Sequence, residues 1–181
     1  YEVIETLQKS IPNLCLAAED LGDLRPEVTV LKDHFHLPGM KVLEFTINFQ
    51  HARAYDEAAE LEHVIAYTGT HDNATLLEWY RSLPAAHRRK LRKWLKREGF
   101  CNGSVPRRMI EYTLADRAET AIIPASDFLE LPASARMNMP GTVGSPNWEW
   151  RLTSFTPLRA ALKHYRPLIQ NRKTKAETLP D

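Results

Sequence analysis

Apolar positions along this chain switch between two periods. Leu14 to Ala18 is a run of small and apolar residues that ends abruptly in Glu19-Asp20-Leu21-Gly22. Such a run predicts a strand over Asn13–Ala18 buried on both faces, with Cys15 in the core and Glu19 at the strand's carboxyl end. Met40 to Phe45 predicts a second strand, its pattern blurred by Lys41 and Glu44. Val64 to Thr68, β-branched and aromatic, predicts a third that runs into Gly69-Thr70-His71-Asp72-Asn73. Ala121 to Pro124 predicts a fourth, with Ser126-Asp127 after it.

Between these runs the spacing is helical. Tyr1 to Lys9 places Ile4 and Leu7 on one face, and Pro12 separates it from the first strand. Pro26 suits a first helical turn, Val28, Leu31 and Phe35 follow at helical spacing, and Leu37-Pro38-Gly39 stops the helix. Thr75 to Tyr80 begins another. Ser82 and Pro84 restart the chain as a helix that reaches Glu98, where Gly99 ends it. Ser104 and Pro106 open the next, with Met109, Ile110, Thr113 and Leu114 facing inward. Thr156-Pro157 starts the last, in which Leu158, Leu162, Tyr165 and Ile169 share a side, and Gln170 to Asp181 reads as polar and frayed. Phe49 to Glu60 fits a short helix or a loop. Pro132 to Pro146 is a loop rich in Pro and Gly, followed by Trp148 and Trp150.

Strands alternating with helices imply an α/β protein with a parallel sheet. A complete (β/α)8 TIM-type barrel needs eight strands and about 250 residues. The 181 residues here suit a small open α/β domain or half of such a barrel, read as a single region over 1–181 with no internal repeat.

Charge narrows the function classes. A net charge of +1 argues against a dedicated nucleic-acid binder. The stretch from His87 to Arg97 is crowded with Arg and Lys, but Leu91, Trp94 and Leu95 form an apolar stripe behind them, so a solvated outer face is favoured over a nucleic-acid or membrane surface. No run approaches the roughly 20 apolar residues of a membrane span. Two cysteines, Cys15 and Cys101, make no disulfide framework, which fits a cytoplasmic protein. Tyr1 to Ser10 lacks the features of a signal peptide, and a first residue other than Met is expected of a chain that starts inside a longer product or after processing.

In a parallel sheet the carboxyl ends of the strands share one rim, where binding and catalysis occur. That rim would collect Glu19-Asp20, His71-Asp72-Asn73, Asp127 and the nearby tryptophans. Aromatic rings stack on the apolar face of a pyranose while carboxylates and amides bind its hydroxyls. Paired carboxylates are also what glycosidic cleavage needs, one protonating the leaving oxygen and one attacking or stabilising an oxocarbenium-like centre. Gly39, Gly69 and Gly103 stand alone and make no phosphate loop, and no second histidine has metal-ligand spacing relative to His71 and Asp72.

Five blocks carry a resemblance. Ala18-Glu19-Asp20-Leu21-Gly22, Leu37-Pro38-Gly39-Met40-Lys41-Val42-Leu43, Tyr67-Thr68-Gly69-Thr70-His71-Asp72-Asn73, Arg136-Met137-Asn138 with Pro140-Gly141, and Asn147-Trp148-Glu149-Trp150-Arg151 occur in this order. Together they resemble the 4-alpha-glucanotransferases, also called amylomaltases or disproportionating enzymes. The resemblance implies retaining transfer of α-1,4-glucan segments between maltooligosaccharides on a βα barrel, with no cofactor and no metal. It implies that Glu19 is the general acid/base and Asp72 the carboxylate that stabilises the transition state. His71, Asn147 and Trp148 would contact substrate, and Asp20 would be structural.

Three departures qualify it. The family's nucleophile is an Asp in an Arg-x-Asp-His motif that this sequence does not contain. The expectation is therefore the C-terminal half of the enzyme, the last four βα units plus a C-terminal helix. That piece would be inactive alone and prone to associate with itself or with the missing N-terminal half. The family's Asn-Pro…Pro-His-Asn loop has no counterpart in Phe49–Glu62, and Ser126 stands where the family has Gln. A non-catalytic carbohydrate-binding or scaffold module derived from the same fold is the alternative.

Overall fold

A computed structural model describes residues 1–48, 53–54 and 63–177. Three strands form a parallel sheet: β1 (Gly39–Val42), β4 (Val64–Tyr67) and β5 (Thr120–Ile122), in the spatial order β1-β4-β5. Met40 lies opposite Ile65, and Ala66 opposite Ala121. A separate antiparallel pair, β2 (Ile47–Asn48) and β3 (Arg53–Ala54), lies between β1 and β4 in the chain.

The segment expected as the first strand differs. Asn13 is in a turn with φ 59°, and residues 14–18 form no ladder among the described residues. They lie beside β1, joined to the residue before it by a bond from Ala18 N–H to the Pro38 carbonyl at 3.0 Å. Exposure alternates along them: Leu14, Leu16 and Ala18 are half-buried, and Cys15, Ala17 and Glu19 are exposed. Cys15 is thus not a core residue. The reason is that this segment is backed on one face only, and period-two alternation is what a one-sided strand shows. The second strand is shorter than expected, because at Leu43 the chain turns into one helical turn, α3 (Leu43–Thr46). The reading of Phe49 to Glu60 falls outside the described residues apart from β3.

The helices follow the sequence closely. They are α1 (Glu2–Ser10), α2 (Pro26–His34), α4 (Leu76–Ser82), α5 (Ala85–Arg97), α6 (Val105–Ala115), α7 (Ala125–Phe128) and α8 (Phe155–Glu177). Thr75 and Ser104 accept hydrogen bonds from the N–H groups of Glu78 and Arg107 and so cap α4 and α6. The last helix persists to Glu177 rather than fraying from Gln170. Arg172 explains part of this, because its guanidinium donates to the carbonyls of Leu114, Asp116 and Ala118 at the end of α6.

The core lies between the sheet and this helical layer. Leu91 and Leu95 of α5, Met109 and Ile110 of α6, Leu76 of α4 and Tyr165 of α8 are buried together. The Arg and Lys side chains of α5 stand on its opposite face, with Arg89, Lys90, Arg92 and Lys93 exposed. On the sheet, Ala66 and Ala121 pack toward the helices, whereas Tyr67 and Ile122 line an open cleft on the other side. Lys41 bonds Asp116 at 2.6 Å and pins β1 to the end of α6.

Candidate functional site

The cleft is built where the strands end. Asp20 fixes its first wall. One carboxylate oxygen accepts the Met40 N–H at 2.7 Å, and the other pairs with Lys32 at 2.8 Å. Gly39 is required at this junction, because a Cβ there would sit 2.2 Å from the Asp20 carboxylate. Asp20 therefore holds the turn while its neighbour Glu19 stays exposed in the cleft. Glu19 lines the same cleft as Tyr67, whose hydroxyl is pushed above its ordinary pKa by burial and then by the Glu19 charge.

Asp127 organises the second wall. It is 2% exposed, and its two oxygens accept from Thr68 Oγ1 at 2.6 Å and from the Leu76 N–H at 2.9 Å. Thr68 and Leu76 flank the loop that carries His71, Asp72 and Asn73, so one side chain from α7 ties both ends of that loop. Burial raises the Asp127 pKa, and its two hydrogen bonds oppose the rise. Asp127 is thus a structural clamp rather than an open member of the rim.

Within the loop the Thr70–Asn73 turn is closed twice. Asn73 N–H donates to the Thr70 carbonyl at 3.2 Å, and Asn73 Oδ1 accepts from Thr70 N at 2.8 Å and Thr70 Oγ1 at 2.7 Å. The segment 136–138 then grips His71 and Asp72 from outside. Arg136 donates to the Asp72 carbonyl at 2.7 Å, and Asn138 N–H donates to the His71 carbonyl at 3.1 Å. Asn138 Nδ2 donates to Asp72 Oδ1 at 2.6 Å, and His71 Nε2 lies 3.4 Å from the same oxygen. Asp72 is therefore aimed while its carboxylate remains partly open to the cleft.

Trp148 completes the rim. Its N–H donates to the Met137 carbonyl at 2.7 Å, and its ring lies 5.1 Å from that of His71 at an interplanar angle of 35°. Three contiguous clefts result. One of 600 Å³ is shared by Glu19, Phe45 and Asp72, one of 410 Å³ by Glu19, Tyr67 and His71, and one of 310 Å³ by His71, Trp148 and Trp150. Of the expected site residues, Glu19, His71, Asp72 and Trp148 come together here. Asn147 does not join them: its Oδ1 accepts from Met139 N at 2.8 Å and its Nδ2 donates to Thr142 Oγ1 at 2.9 Å, which folds the 139–147 loop on itself.

Sequence reasoning passed over three residues. Phe45 is 62% exposed in the 600 Å³ cleft because α3 turns it out of the expected second strand. Asn138 was visible only as part of a motif, with no partner. Glu44 read as a blemish in a strand, yet it is 8% exposed and accepts from Asn73 Nδ2 at 3.1 Å.

The strand order and the cleft at the strands' carboxyl ends define the class, a parallel α/β protein with an acid-lined rim. A family model described as 4-alpha-glucanotransferase matches residues 1–157, and the chain belongs to that family. The 4-alpha-glucanotransferase of Thermus thermophilus is 37% identical over 164 residues, covering 83% of this chain and 31% of that protein. The chloroplastic/amyloplastic 4-alpha-glucanotransferase of Solanum tuberosum is 31% identical over 170 residues, covering 92% of this chain and 29% of that protein. An amylomaltase from Streptococcus agalactiae, solved in complex with acarbose, superposes with a TM-score of 0.73 at 27% identity, covering 97% of this chain and 34% of that one. The chain thus spans about a third of the length of the relatives it matches.

Proposed function

We propose that the rim is the acid/base and sugar-stabilising part of a 4-alpha-glucanotransferase site, acting on α-1,4-linked maltooligosaccharides. The observation that carries this reading is the convergence of Glu19 and Asp72 on one 600 Å³ cleft, with His71 and Trp148 beside them. In this mechanism Glu19 protonates the leaving glycosidic oxygen and later takes a proton from the incoming hydroxyl. Asp72, aimed by Asn138, stabilises the oxocarbenium-like centre and holds sugar hydroxyls, with His71 on the same sugar. Trp148 and Phe45 offer ring faces for stacking. A retaining reaction also needs a nucleophilic carboxylate, and we assign that role to no residue of this chain. Asn147 serves the site by shaping the loop that presents Trp148.

We further infer that the three parallel strands belong to a βα barrel. The open faces of Tyr67 and Ile122 support this, since an inner barrel wall is covered only when the barrel closes. Further strands, from a second copy or from the rest of the protein, would cover that face. The 181-residue chain is expected to bind maltotetraose without releasing glucose from it. In a nitrogen-15 spectral titration the Trp148 indole and the His71 and Asp72 amides should move. Shifts confined to α5 or α8, or none at millimolar sugar, would refute the assignment.

A further inference from the structure

Glu44 is buried at the root of the site, and the reaction as described gives it no role. Its Oε2 accepts from Asn73 Nδ2, whereas its Oε1 is buried with no hydrogen-bond partner among the described residues. Asn73 is committed on its other side, where Oδ1 accepts both Thr70 N and Thr70 Oγ1. Thr70 Oγ1 in turn accepts the Asp72 N–H at 3.3 Å. A chain of contacts therefore runs from Glu44 through Asn73 and Thr70 to Asp72. Gly69 leaves room for it, because a Cβ there would lie 3.2 Å from Asn73 Cβ and 3.5 Å from Glu44 Oε1.

We propose that Glu44 is a positioning residue, which sets the Asn73 amide and through it the turn that presents His71 and Asp72 to the sugar. The chemistry of the pocket favours the uncharged acid in this role. A carboxylate with one buried oxygen unpaired carries an uncompensated charge, which is costly away from water. Among the described residues, the charged groups acting on Glu44 are Asp127 on α7, Glu78 on α4 and Arg136 after Ala135, and the two acids outweigh the single guanidinium. Burial first, and Asp127 next, push the Glu44 pKa up to about 8, against the opposing effects of Asn73 and Arg136. Ionisation above that pH puts a second negative charge beside Asp127 and disturbs the anchor of the turn.

The role in sugar binding rests on the glucan reading above, but the coupling between Glu44 and the turn does not. The test uses the 181-residue chain and its Glu44→Gln and Glu44→Leu variants. In the unsubstituted chain the Asn73 side-chain amide and the Asp72 backbone amide should titrate together with a midpoint near 8. In Glu44→Gln, which keeps an acceptor without a charge, that transition should vanish while the resonances stay near their low-pH positions. In Glu44→Leu, which removes the acceptor, they should be displaced at every pH. In parallel, the maltotetraose dissociation constant should rise about tenfold from pH 7 to pH 9 in the unsubstituted chain and stay flat in Glu44→Gln, the ratio expected when only the protonated form binds. A transition near 8 that survives in Glu44→Gln, or none between pH 6 and 10 in the unsubstituted chain, would overturn the proposal. If maltotetraose fails to bind at any pH, the glucan reading falls, and the amide titration still decides the role of Glu44.

Discussion

At the scale of single residues, the site depends on side chains that aim others. Asn138 bonds Asp72 Oδ1 at 2.6 Å, the shortest of the contacts that orient the carboxylate. Under the proposed function, replacing it with Ala should leave the fold intact and lower maltooligosaccharide transfer about 10- to 100-fold in a 4-alpha-glucanotransferase polypeptide containing these residues, because a misaimed charge stabilises the transition state poorly. A loss confined to thermal stability, with transfer unchanged, would contradict that role. Glu44 sets a second expectation. Its folded pKa of about 8 lies above the ordinary 4.5, so the folded state holds a proton the unfolded chain releases between those values. Its contribution to stability is present in full below about pH 4.5 and is lost as pH rises through about 8. Relative to Glu44→Gln, the melting temperature should therefore fall with rising pH across this window, by an amount reflecting on the order of a few kcal/mol. Parallel pH profiles for the two proteins would contradict it.

At the scale of elements, the His71-Asp72-Asn73 loop is held from α7 as much as from its own strand and helix. Asp127 caps α4 at Leu76 N and fastens the end of β4 at Thr68. Asp127→Ala leaves both donors buried without that acceptor, and urea unfolding should report a loss of about 2–4 kcal/mol. Asp127→Asn, which retains an acceptor for Leu76, should lose less. The elements also mark what the sequence made legible. Helix starts at Pro26, Thr75, Ser104 and Phe155 carry local signals, caps or prolines, that act within one turn of chain. The segment before Glu19 carries no such signal. Its apolar run reads as a central strand, but one-sided backing leaves it, among the described residues, with one bond to the segment before β1, at Pro38. The helical turn at Leu43 was equally hidden, because four residues are too few to show a period.

At the scale of the whole molecule, the parallel order and the rim were readable because both follow from where acids sit relative to apolar runs. Glu19, His71, Asp72 and Trp148 come from three separate segments, the stretch beside β1, the turn after β4 and the Trp loop, and they meet. Glu44 and Asn138 were not readable as participants, since their partners lie 29 and 66 residues away and burial arises only from tertiary packing. Glu19 is the proposed proton donor. The decisive measurement is glucose release from maltotriose by a 4-alpha-glucanotransferase polypeptide containing these 181 residues, compared with its Glu19→Gln variant. An intact fold with release reduced at least about 1,000-fold is the predicted result, since an amide cannot protonate the leaving oxygen. Release within a few-fold of the unsubstituted protein would contradict it.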